Sequence, residues 1–282
     1  MSARRIALIS PGAMGSAVAR RLTDAGHEVL TSLAGRSPAS RERAQAAGMH
    51  DALDTELATC DMILSIVPPA DAEALVERFM PHLQKLARKP LFVDANALNP
   101  TSKKKLAARL AQAGCDMVDG GIIGPPPTGG PRITTTFLSG RRARDAMILD
   151  VPGCGAEVLE GDVGAASALK MCYGGINKGV VGLASALMRA AARHGAADAL
   201  RSEMQRSMPD LFIRYQRQVP DMIPKAYRWV AEMEEIAAFL GADDVDGAQL
   251  FEGMAGLFAH VEADRQADGQ DIAVLQRAVI SG

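Results

Sequence analysis

The stretch "RIALISPGAMGSAVARRLTDAG" limits the possible folds more than any other part of the chain. A short apolar run stops at a proline–glycine turn, and the chain reopens at once as an amphipathic helix over about 15–25. The same alternation recurs. "HEVLTSL", "DMILSIVP" and "PLFVDANAL" read as buried strands, followed by helical patterns over about 40–47, 71–86 and 101–113. Two more strand-like runs, "CDMVDGGII" and "TTTFLSG", complete the series. Strands alternating with helices at this spacing predict a parallel sheet covered by helices on both faces. From "VGAASALKM" onward the β-branched runs vanish and a helical period takes over. The sequence therefore predicts a doubly wound, mostly parallel α/β domain over 1–160 and an all-helical domain over 161–282, bridged by a long helix near 164–194.

Composition excludes several classes of function. With 31 basic and 33 acidic residues the net charge is −2, so a concentrated basic surface for nucleic acid is not expected. The run Lys103-Lys104-Lys105 is expected on a solvated helix face. No apolar segment reaches the roughly 18 residues of a membrane span, and the apolar run near the N-terminus is too short for a secretory signal. The four cysteines and five histidines are scattered without metal-ligand spacing. They predict no metal site, and the thiols read as reduced groups in a cytoplasmic protein.

The first strand–turn–helix is where such a sheet binds phosphate: glycines let the backbone approach, and the helix N-terminus offers N–H groups. The pattern G-x-G-x-x-G falls on Ser10-Pro11-Gly12-Ala13-Met14-Gly15, so its first glycine is a serine. Its place at the head of repeated βα units marks Gly12, Ala13, Met14 and Gly15 as contacts to a dinucleotide in a Rossmann domain. An acid after the second strand would bind an unmodified ribose. The exit here, "TSLAGRSPASR", has none. Arg36, Ser37 and Arg41 instead suit a 2′-phosphate, which predicts NADP(H). The alternative is that these residues only solvate the start of a helix.

"GAMGSAVARRLTDAGHEV", "SIVPP", "FVDANALNPTS" and "GAASALKM" occur in the order seen in 6-phosphogluconate dehydrogenase and the β-hydroxyacid dehydrogenases, which the first 190 or so residues resemble. "PKAYRWVAEMEEIA" resembles the C-terminal domain of a poorly characterised branch. The resemblance implies a Rossmann domain followed by a helical domain for substrate and dimerisation, a small-molecule substrate and a homodimer. It also implies that Val67 and Pro68 line the cofactor path, that Asn96 approaches the nicotinamide ribose or substrate, and that Lys170 is the catalytic lysine. The chain departs from the pattern at three places. Ile123, followed by Gly124, stands where a serine holds a substrate carboxylate, Gly174 stands where asparagine is usual, and Asn177 replaces a glutamate acid.

The segment "KMCYGGINKG" poses a separate question, because interior helical glycines cost about 1 kcal/mol each relative to alanine. At 100° per residue Ser167, Lys170, Gly174, Asn177 and Lys178 share one side. Something must approach that backbone: a nicotinamide with substrate, or a neighbouring helix. Lys170 and Asn177 are the candidate catalytic residues, with a lysine pKa lowered by partial desolvation; the plain alternative is a lysine snorkelling to water. Tyr173, Gly174, Ile123 and Gly124 are candidate substrate contacts, as are Trp229 and Glu232, which could equally be core or dimer contact. The loop 124–132 either rims a cleft, with Arg132 as an anionic anchor, or is plain surface. The function expected is NADP-dependent hydride transfer to or from a small carbonyl or alcohol. The alternatives are imine or enamine reduction, or NADPH binding without catalysis.

Overall fold

The computed structural model describes residues 3–129, 134–241 and 243–280, and the chain divides into two compact units, Met1–Lys170 and Met171–Gly282. Arg132 lies outside the described residues. The first unit runs β1 (Arg5–Ile9), α1 (Ala13–Asp24), β2 (Glu28–Thr31), α2 (Pro38–Ala46), β3 (His50–Asp51), α3 (Asp54–Leu57), β4 (Met62–Ser65), α4 (Ala72–Lys85), β5 (Leu91–Asp94), α5 (Pro100–Ala111), β6 (Met117–Ile123), β7 (Thr134–Ser139) and β8 (Cys154–Val158). The strands form one sheet in the order β3-β2-β1-β4-β5-β6-β7-β8.

Strands β1, β4 and β5 are apolar at nearly every position because helices cover both faces. The order reverses between β1 and its two neighbours, β2 and β4, both parallel to it. In an open α/β sheet that reversal leaves a crevice at the carboxyl ends of the strands, where ligands bind. The turns after β1 and β4 both open there.

The sheet is not wholly parallel. β7 runs antiparallel to β6, and β8 is parallel to β7. Only about ten residues separate β6 from β7, too few for the crossover that a parallel pair needs. Helix starts follow local chemistry: Ser37 caps α2, with Pro38 at its first position, and the Asn99 side chain accepts from the Ser102 N–H at 2.9 Å at the head of α5.

The long helix α6 (Ala165–Arg193) starts in the first unit and continues into the second, which adds α7 (Ala197–Ser207), α8 (Pro209–Met222), α9 (Ala226–Leu240), α10 (Val245–Gln266) and α11 (Gln270–Val279). Its core includes five buried methionines, Met171, Met188, Met204, Met222 and Met233, in one cluster with Phe212, Trp229 and Phe258. No described helix is long and apolar enough to cross a membrane.

Cys60, Cys115 and Cys154 are buried, whereas Cys172 on α6 is exposed. Burial pushes the Cys60 and Cys115 thiols up to about 11 and raises Cys154 as well. Thiolate is the reactive form, so titration of the native protein at neutral pH with an aromatic disulfide reagent is expected to give one fast equivalent. All four should react in denaturant. Fast reaction of more than one thiol in the folded protein would contradict the buried placements.

Candidate functional site

The turn after β1 combines one open glycine with one that cannot be replaced. A side chain at Gly12 would meet nothing within 4 Å, whereas a Cβ at Gly15 would lie 2.1 Å from the Ser10 carbonyl oxygen. Gly15 therefore lets α1 pack onto β1, and Gly12 leaves room for a ligand to reach the backbone. No side chain caps the N-terminus of α1, so its first N–H groups lack an acceptor from the helix or a cap. Ser10 replaces the usual first glycine without closing the turn, because the Gly12 N–H bonds to its carbonyl at 2.9 Å.

Across the crevice from this turn, the chain leaving β2 carries Arg36, Ser37 and Arg41. Ser37 serves as the cap of α2, accepting from the Ser40 N–H at 3.3 Å, and Arg41 Nε donates to the Arg36 carbonyl at 3.2 Å. A third arginine, absent from the sequence reading, joins them. Arg43 Nε donates to the Pro11 carbonyl at 3.1 Å, and its Nη2 donates to Ser40 Oγ at 2.9 Å. It ties the start of α2 to the glycine turn. Its signal in the sequence is its spacing: it lies two residues after Arg41 in a helix whose start points at the same crevice. None of the three guanidiniums has a carboxylate partner among the ion pairs of the described residues. The open Gly12 position, the uncapped helix and this basic group fit a dinucleotide.

The turn after β4 is held by Asn96. This residue is 2% exposed. Its Oδ1 accepts from the Val67 N–H at 2.7 Å, and its Nδ2 donates to Ser65 Oγ at 2.8 Å and Asp94 Oδ2 at 2.7 Å. With both amide hydrogens used inside the unit, Asn96 shapes the Val67–Pro68 turn from behind.

The largest correction concerns the lysine run. Lys103, expected on a solvated face, is fully buried, while Lys104 and Lys105 are exposed. Its Nζ lies 2.5 Å from Asp94 Oδ1 and 3.2 Å from Asp119 Oδ1, and it donates to the Asp94 carbonyl at 2.6 Å. Helix α5 begins above the ends of β5 and β6, so its fourth residue points down between the two strand carboxylates. A buried charge is tolerated only when it is paired and hydrogen-bonded, and here it is both.

Asp119 also anchors α6. Its Oδ2 accepts from the Gly164 N–H at 3.0 Å and the Ser167 N–H at 2.9 Å, and its Oδ1 accepts from Ser167 Oγ at 2.6 Å. Ser139 Oγ accepts from the Ala166 N–H at 3.0 Å. A carboxylate suits the positive end of a helix dipole. The helix consequently sits very close to the sheet: a Cβ at Gly121 would come within 2.6 Å of the Ala166 carbonyl oxygen and 3.5 Å of Lys170 Cβ. Lys170, half-buried in the second turn, is thus placed against Gly121. Ile123 is half-buried and Gly124 exposed with φ +123°.

In the second unit the glycines of α6 face a neighbouring helix. A Cβ at Gly175 would lie 3.0 Å from the Phe251 ring, one at Gly179 3.5 Å from Met254 Sδ, and one at Gly182 3.3 Å from Phe258. Of the two occupants the sequence left open, α10 fills this face. Gly174 is different, meeting only Lys178 Nζ at 3.6 Å. Trp229 is a core residue and not a substrate wall: it is 9% exposed and packs edge-on to Phe258 at 5.1 Å. Lys178 Nζ sits over its ring at 5.7 Å and pairs with Glu232 at 2.5 Å, so the Glu232 carboxylate is already engaged. Asn177 Oδ1 accepts from Arg214 Nη2 at 2.6 Å and Gln218 Nε2 at 3.3 Å. Tyr173 is 52% exposed.

Comparison with known proteins agrees with this architecture. Residues 5–143 match the family model of the NAD binding domain of 6-phosphogluconate dehydrogenase, and residues 191–261 match a domain of unknown function, DUF1932. A conserved protein of unknown function, described as structurally similar to 3-hydroxyacid dehydrogenases, superposes with TM-score 0.76 and 25% identity, covering 93% of this chain and 98% of its own. The 3-hydroxyisobutyrate dehydrogenase of Mycobacterium tuberculosis gives TM-score 0.70 at 20% identity, covering 98% and 99%. An imine reductase variant from Myxococcus stipitatus in complex with NAD+ gives 0.62 at 19%, covering 99% and 100%. An uncharacterized 28.5 kDa protein of Methanothermus fervidus is 29% identical over 172 residues; the match covers 59% of this chain and 62% of that relative's length. The chain therefore carries a 6-phosphogluconate dehydrogenase-type NAD-binding domain over residues 5–143 and a DUF1932 domain over residues 191–261.

Proposed function

We propose that the protein is an NADP(H)-dependent oxidoreductase acting on a small carbonyl or alcohol, with Lys170 as its general acid and base. The observation that carries this reading is the anchoring of α6. Asp119, Ser139 and the bare backbone at Gly121 fix the helix start, and with it the only lysine in its first two turns. When bound, the nicotinamide supplies or accepts a hydride. The chain's own part is the proton. Lys170 Nζ gives it to the carbonyl oxygen on reduction and takes it from the hydroxyl on oxidation.

Gly12, Ala13, Met14 and Gly15 would hold the pyrophosphate, and Arg36, Arg41 and Arg43 the 2′-phosphate, with Ser37 beside them. The acid-free exit of β2 supports NADP(H) over NAD(H). Charge-assisted contacts to phosphate contribute about 1.5–3 kcal/mol each. Arg36→Ala combined with Arg41→Ala is therefore expected to weaken NADPH binding at least ~10-fold while NADH binding changes by no more than about 2-fold. An unchanged preference between the two would overturn the assignment.

Imine reduction is the second reading, favoured by Ile123, whose side chain cannot hydrogen-bond a carboxylate. Consumption of NADPH with a panel of carbonyls and cyclic imines, and formation of NADPH from NADP+ with the matching alcohols, separates the two. Loss of reduced-nicotinamide absorbance with imines alone selects the second, and no change in either direction across the panel, with tight NADPH binding, rejects both.

A further inference from the structure

We propose that the helical unit carries an oxyanion-binding cleft, built by Arg214 and Arg217 of α8 with Asn177 of α6, that takes a small carboxylate- or phosphate-bearing ligand. As a binding site it stands on its own geometry; as an anchor for the charged end of a substrate it rests on the oxidoreductase reading.

The cleft has a volume of about 310 Å³ and is lined by Tyr173, Ile176, Asn177, Arg214, Arg217 and Gln218. Among the described residues no carboxylate lines it. Arg214 is held in place by neutral amides, donating from Nη2 to Asn177 Oδ1 at 2.6 Å and from Nε to Gln218 Oε1 at 2.7 Å. These contacts orient the guanidinium and leave its charge uncompensated. A guanidinium has five N–H donors, so most of the Nη1 edge is available to a ligand. Arg217, one turn further along α8 and exposed, adds a second positive charge at the same cleft.

Several other arginines of the unit are neutralised by acids; Arg193, Arg228 and Arg277 are not among the described residues' ion pairs, but they do not line this cleft. Arg201, Arg206 and Arg265 each pair with an acid three residues away, and Arg189 pairs with Asp271. Neither Arg214 nor Arg217 has a carboxylate partner among the described residues, and Asp221, four residues after Arg217, is taken by Lys225 at 2.6 Å. Two unpaired guanidiniums beside amide and phenol donors, in a concave site free of acids, form an oxyanion receptor. Asn177, seven residues after Lys170 on α6, thereby acquires a positioning role: its Oδ1 accepts from both Arg214 and Gln218.

Calorimetric titration of the full chain with succinate and with inorganic phosphate, at fixed ionic strength set with chloride, tests the proposal. Saturable binding of at least one is expected, and which one binds distinguishes a carboxylate ligand from a phosphorylated one. Arg217→Met, at an exposed position, should weaken it roughly tenfold, and Arg214→Met with Arg217→Met should abolish it. Asn177→Asp, nearly isosteric, puts a carboxylate against Arg214 and should weaken it by at least as much. NADPH affinity, measured in the same variants, should not move. No binding of either probe to the wild type, or equal binding in wild type, Arg217→Met and Asn177→Asp, would overturn the site. Loss of probe binding in the variants, with no turnover on any substrate, would leave the site standing and reject the oxidoreductase reading.

Discussion

Lys103→Met is expected to lower the melting temperature of the sheet unit by roughly 10 °C. The substitution keeps most of the side-chain volume and removes the charge, so Asp94 and Asp119 are left facing each other in a site with almost no solvent. Breaking a buried ion pair by deleting one partner costs about 3–5 kcal/mol. In a unit of this size each kcal/mol moves the melting temperature by about 2–4 °C. Lys105→Met, on the exposed side of the same run, is the control and should change stability by less than about 0.5 kcal/mol. Adding Asp94→Asn to Lys103→Met removes one of the stranded charges and should recover part of the loss. Calorimetric melting of the three variants decides the matter. A Lys103→Met protein that melts with the wild type would mean that the ammonium is not between the carboxylates.

The second large effect is catalytic. Lys170→Met is expected to reduce turnover by ~100- to 10,000-fold, the usual contribution of a positioned general acid or base, with NADPH affinity within about 2-fold of wild type. The split matters, because a lysine that served only to hold the start of α6 would affect folding and cofactor binding together. Gly121→Ala sharpens the point. The added methyl would sit 2.6 Å from the Ala166 carbonyl oxygen, forcing the helix start away from β6 while the lysine ammonium itself is kept. Turnover should fall in this variant too. Retention of full activity in Lys170→Met would remove the residue from the mechanism.

The alternation of apolar runs and helical patterns carried enough information to place most of the sheet, because buried parallel strands read as short continuous apolar segments. β3 and β8 were not legible for the opposite reason. His50–Asp51 is a two-residue exposed edge, and "CGAEV" has a glycine and a glutamate where a strand signal needs β-branched residues. The α6 boundaries were readable from the helical period. The role of its glycines was not, since one sequence pattern serves a ligand and a neighbouring helix alike, and only the packing of Phe251, Met254 and Phe258 distinguishes them. Lys103 failed for a related reason. Three consecutive lysines point in three directions from a helix, and composition favours solvent for all of them. Its burial depends on two aspartates that lie 9 and 16 residues away in sequence and meet it only once the strands have paired.

The glycine seam on α6 has a consequence for how such a protein can change over time. Stability of the helical unit is invested in the backbone groove at Gly175, Gly179 and Gly182, where a single extra methyl acts as a wedge against α10. The outward positions of the same helix, Tyr173, Gly174 and Ile176, carry no comparable load. One rod therefore holds a rigid heritage on one flank and a freely editable surface on the other, so ligand preference can drift there without dismantling the bundle.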